Sequence, residues 1–378
     1  VSALGTLYRG RNDLDFPRMW KPVLIVAGLL LVAGMVSLVR SGLNLSIDFE
    51  GGAVWEVPTK TLTVREARDV LATEGVAAGS KVQEVTDPDG TRILRIQADS
   101  KDIDQARTIA GKLAEAAGVP VGDVGTNTVG PSWGEEITGK AVRSLLVFLV
   151  LIAVYIAWQL EWRMAVGALV AVIHDIGLTV GIYSIFQLEV TPATVIAFLT
   201  ILGYSIYDTI VVYDRLYENS ARYDRSGAYT YTAIMRRSLN QVLMRSINTT
   251  VSSILPVVAL LVVGSIAFGQ RTLQEFSLVL LIGMLAGAFS SMFIAAPVVA
   301  WLKEREPKYA RVRARAMERG DLARANRIPV VAAETVPVVV AETRATSAAS
   351  AAHRPNSTRA AQYQRPHPPR PRKQGRKR

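Results

Sequence analysis

The chain has 378 residues, half of them hydrophobic, a formal net charge of +11 and no cysteine. Disulfides, thiolate metal sites and thiol nucleophiles are thereby excluded. Of its three histidines, His353 and His367 fall in the C-terminal tail, which leaves His174 alone and no histidine-cluster metal site.

In chain order, a basic N-terminus (1–21, with Arg9, Arg11, Arg18 and Lys21) precedes an apolar run over 22–41. Its apolar core extends to about Val39, longer than a signal-peptide core, and no small-x-small cleavage site ends it. A permanent first membrane helix is expected. The next stretch, 42–138, is hydrophilic and acidic, with nine Lys/Arg against sixteen Asp/Glu. Gly52–Val57 alternates like a strand, and Thr63 with Glu66 marks a capping box for a helix to about Gly75. Lys81–Val85 and Arg92–Ala98 read as strands around the turn Asp87-Pro88-Asp89-Gly90. Asp102–Ala117 reads as an amphipathic helix stopped by Gly118, and Gly125–Val129 as a last strand. The order β-α-β-β-α-β predicts an α+β, ferredoxin-like domain, a fold that says little about function.

From 139 to 302, apolar runs begin near Leu145, Met164, Ala193, Val251 and Leu278 and predict five more membrane helices. Basic residues gather at Arg163 and between Arg215 and Arg245, whereas the loop Gln187-Leu188-Glu189 has none. By the positive-inside rule both termini are cytoplasmic and 42–138 is extracytoplasmic. Region 303–378 carries nineteen Lys/Arg against six Asp/Glu and is rich in Pro, Ala and Ser. It reads as a disordered cytoplasmic tail whose end, Arg370 to Arg378, either attracts anionic lipid or ribosomal RNA or is solvated with no dedicated partner.

Asp208 lies inside the apolar run 193–213. A carboxylate there costs several kcal/mol on insertion scales, so it is expected to face protein and to have a role. Helical spacing puts Thr200, Tyr204, Asp208, Val211 and Arg215 on one face. The third helix brings His174 and Asp175, with Gly177, Gly181 and Ser184 as a close-packing face; the fifth brings Arg245, Thr249, Ser252 and Pro256 along one side. The sixth brings Glu275 in line with Gly283 and Gly287. Carboxyl groups shielded from water hold a proton more tightly than in water, so Asp208, Asp175, Glu275 and Arg245 suit a proton path. The alternative reading of the same residues is an internal salt-bridged network that only holds the bundle together.

Several strings resemble the bacterial SecF family of protein-export subunits. They are Asp48-Phe49-Glu50-Gly51-Gly52, Val129-Gly130-Pro131-Ser132, Glu161-Trp162-Arg163, His174-Asp175 and the long run from Gly203 to Arg215, which includes Asp214. The resemblance covers roughly 20–303. It implies six transmembrane helices forming half of an RND-type twelve-helix unit completed by a SecD-like subunit. It further implies assistance to the SecYEG channel, a YajC-like subunit and translocating preprotein as partners, and the proton gradient as energy source with no bound cofactor. The setting it implies is the bacterial cytoplasmic membrane, and no enzymatic activity is expected. Position by position, Asp208 matches the intramembrane aspartate of the family and Arg245 an arginine of the same relay. Glu275 stands where relatives often have aspartate, and Tyr207 where many have asparagine. A proton-coupled exporter of small molecules or lipids, and a passive assembly subunit, are the alternative readings. An intramembrane aspartyl protease is disfavoured because its Gly-x-Gly-Asp motif is absent.

Overall fold

A computed structural model describes residues 13–86, 90–100, 102–264 and 271–329. The turn residues 87–89 and everything from 330 onward, including the end of the basic tail, lie outside the described residues. Six helices among them are long and apolar enough to cross a membrane. They are α1 (Phe16–Ser41), α5 (Pro131–Gln159), α6 (Trp162–Phe186), α7 (Pro192–Tyr223), α8 (Tyr231–Val262) and the composite of α9 (Arg271–Ser290), a π-helical turn (Ser291–Ala295) and α10 (Ala296–Glu304).

Two helix starts differ from expectation. The first begins at Phe16 rather than at 22, with Pro17 in its first turn and Pro22 inside it. Proline is tolerated in a first turn, where its missing N–H has no partner to lose, so Pro17 and not Pro22 marks the start. The second begins at Pro131 rather than 139, since Pro131 likewise occupies the first turn. Its early turns are polar and stand outside the apolar span.

Between α1 and α5 come β1 (Asn44–Leu45), α2 (Ile47–Glu50), β2 (Gly52–Pro58), α3 (Val64–Thr73), β3 (Lys81–Thr86), β4 (Arg92–Ala98), α4 (Ile103–Ala117) and β5 (Gly125–Val129). The strands pair antiparallel in the order β3-β4-β2-β5. With α3 and α4 this is the split βαβ arrangement of the ferredoxin-like fold. Its core joins Trp55, Val57, Leu94 and Ile96 of the sheet to Leu71, Ile109 and Leu113 of the helices. The Trp55 indole N–H donates to the Ala106 carbonyl at 2.9 Å, so this large buried ring leaves no unpaired donor.

Thr63 forms the expected capping box with Glu66. Hydrogen bonds from the Thr63 backbone and side chain hold the Glu66 carboxyl below its ordinary range. That contribution is present at neutral pH and is lost as pH falls through the lowered value. Thr63→Ala should destabilise the outer domain by about 1 kcal/mol, read as a lower midpoint in urea unfolding of the full chain followed at Trp55.

Three contacts seat this domain on the bundle. Strand β1 pairs parallel with β6 (Glu189–Val190) in the loop between α6 and α7. Arg95 reaches Glu189 through two guanidinium nitrogens, at 2.5 and 3.1 Å. Gly134 of α5 lies so close to α2 that an added Cβ would stand 2.7 Å from the Phe49 carbonyl oxygen. Gly51 and Gly52 both have positive φ, and a Cβ on Gly52 would meet the Ala98 oxygen at 2.6 Å. The motifs at 48–52 and 129–132 thus share one structural task, the junction of sheet and bundle.

The stretch 303–329 corrects the expectation of a disordered tail from 303. Helices α11 (Pro307–Glu318) and α12 (Leu322–Ala325) bury Tyr309, Val312, Ala316 and Ala325, and Ile328 just after them is buried too. Tyr309, Val312 and Ala316 recur at helical spacing within an arginine-rich run, and that stripe outweighs the polar composition. Tyr309 stacks edge-on against Tyr231 and donates to Asp224 at 2.5 Å. Burial, and then that hydrogen bond, push its hydroxyl well above the usual tyrosine range. Lys303 pairs with Glu161 at 2.7 Å, and Arg163 pairs with Glu306. The Glu161-Trp162-Arg163 string therefore clamps this end of the bundle.

Candidate functional site

Two carboxylates meet in the interior of the bundle. Asp175 of α6 is 1% exposed and Asp208 of α7 is 6% exposed. Asp175 Oδ2 accepts from Ser205 Oγ at 2.5 Å and from Ser290 Oγ at 2.7 Å. Its Oδ1 lies 3.0 Å from His174 Nδ1. Asp208 Oδ1 accepts from Ser246 Oγ at 2.9 Å, and Oδ2 from Ser291 Oγ at 2.6 Å. The neighbours Ser290 and Ser291 thus hold one carboxylate each, so adjacent residues of one helix serve both acids.

The local sequence explains this geometry. Ser205 and Asp208 are three residues apart on α7 and share a face. Gly287 lets α9 approach α7 so closely that an added Cβ would lie 2.8 Å from Ser205 Cβ, and Gly283 does the same against Ile201. The expected small-residue face of α9 therefore packs on α7. Directly after it the helix widens into the π turn Ser291–Ala295. Such widened turns are mostly single-turn bulges, and they are frequent at functional sites. Here the bulge sits where two consecutive serines serve two different acids.

No lysine or arginine forms an ion pair with Asp175 or Asp208 among the described residues. Serine hydroxyls both donate and accept, so this shell suits a carboxylate and a carboxylic acid alike. His174 completes the shell with its ring 6.2 Å from Phe289, and its Nε2 is buried with no hydrogen-bond partner.

Arg245 and Glu275 are not brought to this cluster. Ser246 occupies the α8 position facing Asp208, so Arg245, one residue before, is turned about 100° round the helix and is exposed. Glu275 lies near the start of α9, about 22 Å along the helix from Ser290 by helical rise. It lines a cavity of about 380 Å³ between bundle and outer domain, together with Asp48, Glu56, Arg95 and Glu189.

The predicted face of α7 does run along α8. Tyr204 donates to Ser253 Oγ at 2.5 Å, Asp208 accepts from Ser246, and Arg215 donates to Gln241 at 2.8 Å. Thr200 instead bonds its own turn at Ile196 and is exposed, as are Gly203 and Asp214. The face Gly177, Gly181 and Ser184 meets α1, where a Cβ on Gly34 would lie 2.7 Å from Gly181 Cα and Ser37 bonds Ser184 at 2.9 Å.

Sequence reasoning missed Ser205, Ser246, Ser290 and Ser291. Serine pairs in an apolar helix were a usable signal, since hydroxyls buried in a membrane seek partners. The π turn carries no comparable mark.

A six-helix bundle with a ferredoxin-like insert and a buried acid pair defines a membrane protein of transporter type. Residues 111–305 match the family model described as protein export membrane protein SecD/SecF, C-terminal. The chain is 41% identical to the protein translocase subunit SecF of Streptomyces coelicolor, over 84% of this chain and 85% of that one. It is 36% identical to SecF of Mycobacterium tuberculosis, over 80% and 70%. Among solved structures it is similar to SecDF, a translocon-associated membrane protein from Thermus thermophilus, with a TM-score of 0.68 and 29% identity. That match covers 78% of this chain and 39% of the longer one, so the chain spans about two fifths of SecDF. The chain belongs to the SecD/SecF family of protein export membrane proteins, and its role lies in protein export.

Proposed function

We propose that this chain is the SecF half of a SecDF complex that uses the proton gradient to assist SecYEG-mediated export. The observation that carries the reading is the Asp175–Asp208 pair, two buried acids held by adjacent serines with no lysine or arginine paired to either among the described residues. A passive scaffold has no need of them, because apolar residues of similar volume hold a bundle at least as well as buried ionic groups do. One charge moved across 100 mV carries about 2.3 kcal/mol, so proton uptake and release at this pair suffice to bias a conformational change. The chain then acts as a non-enzymatic coupling subunit and needs no bound cofactor.

A SecD-like partner is supported by an exposed polar face inside the membrane span. Thr200, Gly203 and Tyr207 of α7 and Arg245, Asn248 and Ser252 of α8 are exposed. Polar groups facing lipid are costly, and a second six-helix half would cover them. Asp208 lies just behind this face, and Arg245 would be presented to the partner rather than to Asp208. Six spans among the described residues and the basic 215–245 loop support a topology with both termini on the cytoplasmic side of the bacterial membrane, with the acidic domain outside where preprotein emerges.

Co-purification with the SecD-like subunit, followed by export measured in vesicles with the gradient intact or collapsed, tests the reading. Export that responds to added complex only when the gradient is present is the expected result. A complex that stimulates export equally in both states would leave it a passive assembly subunit. Deleting 53–128 should impair export while assembly with SecD persists, because the outer domain is proposed to contact emerging preprotein. Unimpaired export after that deletion would reject the contact.

A further inference from the structure

A groove of about 650 Å³ lies between α1 and α10 at the end of the bundle that carries α11. One wall is a single face of α1, from Pro17 through Trp20 and Lys21 to Leu24. The other is a single face of α10, from Pro297 through Trp301 to Arg305, and Arg313 of α11 reaches the mouth.

Three cations line it against one carboxylate. The carboxylate is already engaged: Glu304 Oε1 accepts from the backbone N–H and the hydroxyl of Thr232, both at 2.8 Å, at the start of α8. Lys21, Arg305 and Arg313 are exposed, and none of them is ion-paired among the described residues. Arg305 instead lies 3.5 Å over the Trp301 ring, which is itself 56% exposed. Trp20 is only 8% exposed, and its indole N–H has no acceptor. A buried donor left unpaired is costly, and tryptophan normally finds a partner for it.

We propose that this groove binds one anionic phospholipid. Its phosphate sits among Lys21, Arg305 and Arg313, and an acyl chain runs along Leu24 and Trp301 toward the apolar span of α1. The charge excess selects an anionic headgroup. The exposed apolar residues Leu24 and Trp301 select a chain rather than a free anion. The position fits, since tryptophans and basic residues belong at the headgroup level of a membrane helix, and basic pockets between helices take lipid headgroups there. These residues are separate from the acid pair and from the basic C-terminal end.

Native mass spectrometry of the full chain in mild detergent tests this, with phosphatidylglycerol and phosphatidylcholine added in turn. A single saturable site preferring phosphatidylglycerol is expected. The triple variant K21Q/R305Q/R313Q changes exposed side chains and keeps the fold. It should lose at least tenfold in that affinity, and about a hundredfold if the three cations add. Equal affinity for the two lipids in the wild type would overturn the proposal. So would a triple variant that keeps the preference, because the basic C-terminal end is present in both proteins and would then be the binder. Displacement of the lipid by millimolar inorganic phosphate would overturn it too, by showing an anion site without need of a chain.

Discussion

Asp208→Asn should abolish gradient-dependent export while leaving the subunit folded and assembled. The amide keeps the size of the carboxylate and one of its acceptor oxygens, so the bond to either Ser246 or Ser291 survives. The other serine must turn its hydroxyl to accept from the new NH2 group, which a freely rotating O–H does readily. Structural cost is therefore about 1 kcal/mol or less. The functional cost is larger, because an amide cannot take up or give off the proton. Losing one charge across 100 mV removes about 2.3 kcal/mol of drive, or about fiftyfold in a two-state equilibrium. Export in vesicles should fall to the level seen with the gradient collapsed, and the yield of complex should be unchanged. Normal gradient-dependent export by this variant would end the case for Asp208 as the coupling group. Ser291→Ala offers a graded companion: it removes one of the two donors to Asp208, and export should fall by less than in Asp208→Asn.

Gly181→Val should strip α1 from the bundle. Few residues of this helix are buried, namely Phe16, Trp20, Ala27 and Gly34, so it depends on a narrow seam. At that seam a Cβ on Gly181 would lie 2.9 Å from Gly34 Cα, a backbone atom that cannot rotate aside. The helices must separate, and the hydrogen bonds from Ser37 to Ser184 and from Ser184 to the Gly42 carbonyl go with them. Overpacking of this kind costs typically 1–3 kcal/mol, and the lost hydroxyl bonds add about 1 kcal/mol each. A clear drop in thermal midpoint in detergent and a poor membrane yield should follow. Gly28→Ala, on the same helix with nothing within 4 Å of its added Cβ, should behave as wild type. Equal behaviour of the two variants would mean that the seam does not hold α1.

The membrane helices were legible because apolar length is a one-dimensional signal, and the outer domain because Thr63, Gly118 and the alternation of Gly52–Val57 mark their own elements. Asp175 and Asp208 were legible as charges in the wrong solvent. Their service by two adjacent serines of one helix was not. It depends on how α9 docks on α7 through Gly283 and Gly287 and on the register shift of the π turn, both of which are products of packing between distant segments. Arg245 shows the limit of spacing arguments. Being 37 residues from Asp208 says nothing about which side of α8 faces it, and one residue of rotation gives that place to Ser246. Within 303–329 composition misled, because three apolar residues at the right period decide the fate of an arginine-rich run.

The pairing of β1 with β6 has a mechanical consequence. Helix α7 starts at Pro192, two residues beyond β6, and Asp208 lies 16 residues further on. At helical rise that is an arm of about 24 Å. A rocking of α7 by about 10° about Asp208 would carry its far end through about 4 Å. Arg95 of the four-stranded sheet and the β1–β6 pair fasten that end, so the ferredoxin-like domain would be the load on such a lever. A tilt of that size about the buried acid would thereby reach β1 as a displacement of about one strand residue.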